Sequence, residues 1–211
     1  GDGYLDLYVG EWRMYYTRNY STVPGDDGSV RTAKSFRASN SRLFRNRGAG
    51  RPGFFDDVTD AAGMNVEPVA REMLQRDQLS LPIPAAVLRS ERHASRSITN
   101  GAYTFAPVWA DFDGDGFDDL FIASDFCTSM LWWNNGNGTF TEGSREAGLG
   151  GDQNGMGATV ADVDGDGRLD LFVSAIHSYR EQNELTGFGT AGSFLYLNRC
   201  DGREHRGTRR C

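Results

Sequence analysis

The sequence predicts an all-β protein assembled from repeated hairpin units. Three observations carry that expectation. The acidic stretch Asp111-Phe112-Asp113-Gly114-Asp115-Gly116-Phe117-Asp118-Asp119 returns as Asp162-Val163-Asp164-Gly165-Asp166-Gly167-Arg168-Leu169-Asp170. A cut third copy, Gly1-Asp2-Gly3-Tyr4-Leu5-Asp6, opens the chain. After each copy comes a short run of aromatic and β-branched residues closed by Asn- and Gly-rich turns, and the 27 glycines of the 211 residues suit a chain of many turns.

The shared pattern is D-x-D-x-D-G-x-x-D followed by an apolar run. Three aspartates at alternate positions of a tight loop turn their carboxylates inward, and the glycine at the sixth position permits a turn that a side chain would block. The carbonyl of position seven and the aspartate of position nine complete an oxygen-only shell of the kind Ca²⁺ takes. The expected ligands are Asp111, Asp113, Asp115, the Phe117 carbonyl and Asp119 in the second loop. In the third they are Asp162, Asp164, Asp166, the Arg168 carbonyl and Asp170. Two carboxylates about 4 Å apart repel by roughly 4 kcal/mol at an effective dielectric near 20, so a cation is the expected remedy. Mg²⁺ suits the loop less, because it demands a rigid octahedron and keeps its waters. The plainer alternative is a solvated Asp-Gly turn between strands.

In chain order, Tyr4-Leu5-Asp6-Leu7-Tyr8-Val9 reads as a strand leaving the first loop. Residues 13–38 are polar, turn at Pro24-Gly25-Asp26-Asp27-Gly28, and read as an insertion between strands. Residues 40–50 give a short strand and a Gly-rich turn, 54–59 a returning strand, and Ala61-Ala62-Gly63-Met64 a closure. Residues 66–98 interrupt the repeat, with weak helical spacing from Glu67 to Leu79 broken by Pro82 and Pro84. The grammar then repeats. Residues 129–133 form a strand, Asn134-Asn135-Gly136-Asn137-Gly138 a hairpin turn, 139–142 the return, and Glu146-Ala147-Gly148-Leu149 the closure. After the third loop, residues 193–198 give the strand, but Cys200 stands where the earlier copies have Gly48 and Gly136, and residues 199–211 read as an aberrant or disordered tail.

Composition narrows the function classes. The chain carries 22 basic and 29 acidic residues, and ten of the acids are the aspartates at the cage positions of the three loops, which leaves a mildly basic remainder. Acidity confined to loops argues against nucleic acid as the main partner. No run is long enough to span a membrane. Cys127, Cys200 and Cys211 make neither a disulfide framework nor a zinc site: Cys127 is expected to be a buried thiol, while Cys200 and Cys211 either pair or stay free. His93, His177 and His205 are scattered, without nucleophile, zinc or phosphate-loop spacing. Position twelve of the loops is Ile122 and Val173 rather than a bidentate Glu, which argues against an EF-hand.

The run G-M-G-A-T-V-A-D-V-D-G-D-G-R-L-D-L-F-V (155–173), together with N-N-G-N-G-T-F-T-E (134–142) and E-A-G-L (146–149), resembles FG-GAP/VCBS repeats, in the flavour of cartilage acidic protein and, more distantly, of integrin α-subunit propellers. The resemblance covers about three units and implies that each is one four-stranded blade of a β-propeller with Ca²⁺ in a loop between two strands. The blade units are about 1–64, 101–149 and 150–198. In the cut first loop the matching positions are Asp2, the Tyr4 carbonyl and Asp6. Propellers close with about four to eight blades, so three imply a partial propeller with missing blades elsewhere in a longer chain, and two sheet edges that invite association.

The resemblance implies a non-enzymatic, calcium-binding module for extracellular binding or adhesion, secreted or at the cell surface, or periplasmic in a bacterium. Its ligand would be a protein or glycan on the propeller surface. The alternatives are a non-catalytic propeller part of a hydrolase or lyase, or a carbohydrate-binding propeller using Trp109, Trp132, Trp133 and Tyr179, although aromatics at strand positions more often pack between blades. Asn19 and Asn137 fit the N-glycosylation pattern.

Overall fold

Short β-rich runs separated by glycine turns have one way to satisfy their backbone groups, which is to pair with their neighbours. A computed structural model shows them doing so. It describes residues 3–11, 15–16, 21–24, 30–33, 36–37, 41–66, 69, 103–125, 128–149, 152, 154–176 and 192–199. The expectations for Asp2, Cys127, Cys200, Cys211, Tyr179, Asn19, the three histidines, the turn at 25–28, most of 66–98 and the tail from 200 lie outside the described residues.

The first sheet is antiparallel and takes the order β1–β6–β7, with β1 at Leu7–Val9, β6 at Arg42–Asn46 and β7 at Phe55–Asp57. Between β1 and β6 the polar segment is not strandless, as its composition suggests. β2 (Tyr15–Tyr16) pairs with β5 (Phe36–Arg37), and β3 (Ser21–Pro24) pairs with β4 (Val30–Ala33). These ladders nest inside the β1–β6 pairing in the same antiparallel sense, with the register drifting between them.

The second sheet is a four-stranded meander, β11–β10–β9–β8. Its strands are β8 (Thr104–Ala110), β9 (Asp119–Ser124), β10 (Met130–Asn134) and β11 (Phe140–Glu142). The third sheet runs β12 (Gly155–Ala161), β13 (Asp170–Ala175) and β14 (Phe194–Tyr196). Four strands are therefore present in the second sheet, and three among the described residues of each of the first and third sheets. The structure also adds β8 and β12 ahead of the acidic loops, so each of these loops joins two strands. Both strands were hard to read from sequence. β8 contains Pro107, tolerated because β8 is a sheet edge, and β12 contains two glycines. Each also carries a register irregularity near its start, between Thr104 and Ala106 and between Gly155 and Gly157.

The sheets stack through alternate residues. Leu120 and Ile122 of β9, with Met130 and Trp132 of β10, face the first sheet and meet Tyr8, Leu43, Ala62 and Met64. The intervening Phe121, Ala123, Leu131 and Trp133 face the third sheet and meet Leu171 and Val173. The middle sheet is thus covered on both sides, which is why β9 is buried along its whole length and reads as a continuous apolar run. The outer sheets bury one face only: β1 buries Tyr8 and exposes Leu7 and Val9.

The two closures are built alike. Ala62 N–H donates to Val58 and Met64 N–H to Thr59, while Ala147 N–H donates to Gly143 and Leu149 N–H to Ser144. Gly63 and Gly148 sit at φ 74° and 71°. The first closure also holds the second sheet, through the 2.8 Å bond from Phe140 N–H to the Ala62 carbonyl. Val66 and Val69, at the start of the interrupting segment, pack against the first core.

Candidate metal centre

Each acidic loop is first a solution to a backbone problem. A chain that leaves one strand and turns back within eight residues exposes a row of N–H groups. In the second loop the position-one carboxylate gathers them: Asp111 Oδ1 accepts from Gly114 and Asp115 N–H at 2.8 and 3.0 Å, and Oδ2 accepts from Gly116 N–H at 2.9 Å. Asp162 does the same for Gly165, Asp166 and Gly167 at 2.7, 3.0 and 2.9 Å. The sixth-position glycines, Gly3, Gly116 and Gly167, have φ of 83°, 89° and 86°, the left-handed turn expected there.

Wrapping the chain around position one brings the other carboxylates in. Asp111, Asp113 and Asp115 each offer an oxygen within 4.8 Å of the others, and Asp162, Asp164 and Asp166 form the matching cluster. Both clusters are hard-oxygen donor sets open to solvent, and that chemistry fits Ca²⁺. At position three, Asp113 accepts from Asp115 N–H at 3.2 Å, whereas Asp164 lies 3.3 Å from the Arg199 guanidinium.

At position nine, Asp119 and Asp170 stand apart from the clusters and are buried, whereas Asp6 is exposed. Asp119 Oδ1 accepts from Asn134 N–H at 2.8 Å and Oδ2 from Phe112 N–H at 3.1 Å. Asp170 repeats this with Asn198 at 2.8 Å and Val163 at 2.9 Å, and Asp6 accepts from Asn46 N–H at 2.9 Å. Each of these asparagines also donates its Nδ2 to the position-eight carbonyl: Asn46 to Leu5, Asn134 to Asp118, Asn198 to Leu169. The clamp ties the loop to the end of the next strand but one. Sequence reasoning missed it, although the signal was present: Leu43-Phe44-Arg45-Asn46, Leu131-Trp132-Trp133-Asn134 and Leu195-Tyr196-Leu197-Asn198 share a Leu-x-x-Asn pattern.

The two clamps differ electrostatically. Burial raises Asp119 to about 7, and the charges of Asp113 and Asp115 push the same way against the Asn134 and Phe112 N–H groups. Asp170 is held below the usual carboxylate range, chiefly by the Asn198 and Val163 N–H bonds, with Arg199 and Arg168 helping. The cause is position: Asp119 belongs to the sheet covered on both faces, Asp170 to a sheet with one open face and two arginines beside it.

Position seven also splits. Phe117 and Tyr4 lay their rings on hairpin glycines, where a side-chain carbon at Gly136 or Gly48 would come within 2.8 or 2.9 Å of the ring. Arg168 instead donates Nε to the Asn198 carbonyl at 3.0 Å and pairs with Asp166. The amides of Phe117 and Arg168 donate to Asp115 and Asp166, both at 2.9 Å. The third loop therefore carries two arginines where the second carries an aromatic ring. Of the aromatics weighed for glycan binding, Trp132 and Trp133 are buried in the two inter-sheet cores, and Trp109 stands edge-on to Phe140 at 6.0 Å.

No curated protein matches the chain. Residues 111–173, which run from the first aspartate of the second loop through the third loop into β13, match the family model of the FG-GAP-like repeat.

Proposed function

We propose that the chain is a non-enzymatic β-propeller-type module whose acidic loops hold Ca²⁺, and that it serves binding or adhesion to a protein or glycan outside the cell. The observation that carries the reading is the duplicated cluster: three carboxylates within 4.8 Å of one another in each of two loops, on the same backbone scaffold. Asp111, Asp113 and Asp115 would hold one ion, and Asp162, Asp164 and Asp166 the other. The position-seven carbonyls and position-nine carboxylates are the candidates to complete each shell. Bound Ca²⁺ supplies positive charge and cross-linking, not reaction chemistry. It offsets the mutual repulsion of the carboxylates, and it favours the ionised form of Asp119, whose burial otherwise disfavours charge.

The functional consequence is linkage. An ion that binds the closed loop and not the unfolded chain adds stability that grows with its concentration. Millimolar calcium, typical outside cells, fills even weak oxygen sites. With the loops pinned, the sheets present a fixed surface on which a ligand can dock. The test is thermal unfolding of the whole chain in excess EDTA and in millimolar Ca²⁺. A higher melting temperature in calcium than in magnesium or EDTA is expected; identical melting in all three rejects the reading.

A further inference from the structure

A glycine that follows Asn or Asp offers an amide nitrogen with no side chain beside it, and that nitrogen can attack the side-chain carbonyl carbon of the residue before it. The described residues hold four Asp-Gly steps in the acidic loops and the Asn-Gly steps 135–136, 137–138 and 154–155. The attack needs a glycine N–H that is open to solvent and not already hydrogen-bonded. The fold sorts the steps on that criterion.

In the acidic loops Gly114 and Gly116 give their N–H groups to Asp111, and Gly165 and Gly167 give theirs to Asp162. Gly136 N–H donates to Asn134 Oδ1 at 3.0 Å, and the Phe117 ring lies against that glycine. Asn154 is only 1% exposed, and Gly155 is packed on Asp152 and Ser129. Asn137-Gly138 differs from all of these. Both residues are exposed, and Gly138 N–H donates to no acceptor among the described residues. A carbon added at Gly138 would meet nothing within 4 Å.

The hairpin also activates the group under attack. Asn137 Oδ1 accepts from Thr139 N–H at 3.0 Å and from Thr139 Oγ1 at 2.6 Å. Asn135 Nδ2 donates to that hydroxyl oxygen at 3.0 Å, which leaves the hydroxyl proton for Asn137. Two donors on one carbonyl oxygen stabilise the negative charge that gathers there when its carbon is attacked.

We propose that Asn137 is a self-modification site, where the hairpin converts its own asparagine to aspartate and isoaspartate with water as the co-reactant. The Gly138 nitrogen bonds to Asn137 Cγ, the Cγ–Nδ2 bond breaks, and Nδ2 leaves as ammonia with the proton from Gly138. Water then opens the cyclic imide. Opening at Cγ gives aspartate, and opening at the main-chain carbonyl gives isoaspartate, which routes the backbone through the side chain. Either product places a new negative charge in the cleft between the first and second sheets, where Asn137 stands with Arg45, Phe117 and Asp118. The charge of that cleft therefore changes with the age of the molecule. The proposal needs neither calcium nor a docked ligand.

The test is peptide mapping by mass spectrometry, with the aspartyl isomers separated. It uses the 211-residue chain made in a bacterial cytoplasm, where Nδ2 stays free of glycan. The chain is aged at neutral and at mildly alkaline pH, both folded and in urea. In the folded chain Asn137 is expected to convert well ahead of Asn135 and Asn154, and faster as pH rises. The lead should shrink in urea, where every glycine N–H is equally free. Thr139→Val should slow conversion at Asn137 and Thr139→Ser should restore it. Circular dichroism checks that the sheets persist, and Thr139→Ala replaces a valine variant that loses them. A folded chain whose Asn137 stays intact, an Asn135 that converts as fast, or a Thr139→Val chain that converts at the parent rate overturns the proposal.

Discussion

Substituting Asp113 by alanine separates the loop's two jobs, because position three contributes charge to the cluster and little to the loop's backbone. The bond it accepts from Asp115 N–H, at 3.2 Å, is long and exposed. Asp111, by contrast, holds three N–H groups. Without metal, Asp113→Ala removes one of three crowded carboxylates at an exposed loop position, so stability should stay within about 0.5 kcal/mol or rise. With calcium at about 100 times its dissociation constant, one site contributes about 2.7 kcal/mol. For a chain of this size that corresponds to roughly 5–11 °C of melting temperature. The variant should therefore forfeit up to that much in calcium and nothing in EDTA. Asp111→Ala should lose stability under both conditions, since its exposed bonds contribute about 0.5–1.5 kcal/mol each. Calorimetric melts of both variants, built on Asp164→Ala so that the third loop is silent, give the comparison. An Asp113→Ala protein that responds to calcium as fully as its parent, or one that collapses in EDTA, would refute the reasoning.

Two further perturbations test the scaffold. At Gly116, φ is 89° and an added side chain meets nothing within 4 Å, so the cost of Gly116→Ala is purely conformational, about 1–2 kcal/mol. Gly116→Asn should cost less, and urea titrations of the two variants in EDTA check the order. Asp152 is buried between the second and third sheets, hydrogen-bonded by Ser129 Oγ and Tyr196 Oη, and burial raises its pKa. A raised folded-state pKa means the native protein keeps a proton that the unfolded chain, with a pKa of about 3.9, has already released. Its stabilising effect is complete below that value and is lost as pH rises through the folded pKa. Asp152→Asn should therefore gain stability relative to its parent as pH is raised from about 4, with little difference below; parallel curves would exclude the buried carboxylate as the cause.

The loops were legible because their chemistry is local. Alternate aspartates, the sixth-position glycine and the apolar run all act within one stretch, so Gly116 and Gly167 could be placed in a left-handed turn before any neighbour was known. β9 and β10 were legible as strands for the same reason. Their partners were not. Trp132 and Trp133 are adjacent and equally aromatic, and only the stacking of sheets sends one into each core. β8 was obscured by Pro107, whose acceptance depends on edge position, a property of the assembled sheet. The position-nine aspartates show the limit most clearly. Local chemistry names Asp119 and Asp170 as candidate ligands, but it could not show that both carboxylate oxygens of each also accept from N–H groups up to 28 residues away in sequence.

That clamp changes how the repeat should be understood. The acidic loop is held to its sheet by the Asp119–Asn134 and Asp170–Asn198 bonds, so part of its shape is fixed by the chain's own N–H groups. The carboxylates at positions three and five add the negative charge of the cluster. The third loop adds Arg168 and Arg199 beside Asp166 and Asp164, which supplies positive charge from the chain itself. A cluster already partly neutralised attracts a cation less, whereas the second loop has Phe117 at the corresponding position and no such relief from it. The two loops, alike in backbone, should therefore differ in affinity, the second binding Ca²⁺ more tightly than the third. Arg199→Ala should narrow the gap by strengthening the third site. Calcium titration by calorimetry of the Asp113→Ala and Asp164→Ala proteins isolates each loop in turn, and a third loop that binds as tightly as the second would show that the arginines swing aside at no cost.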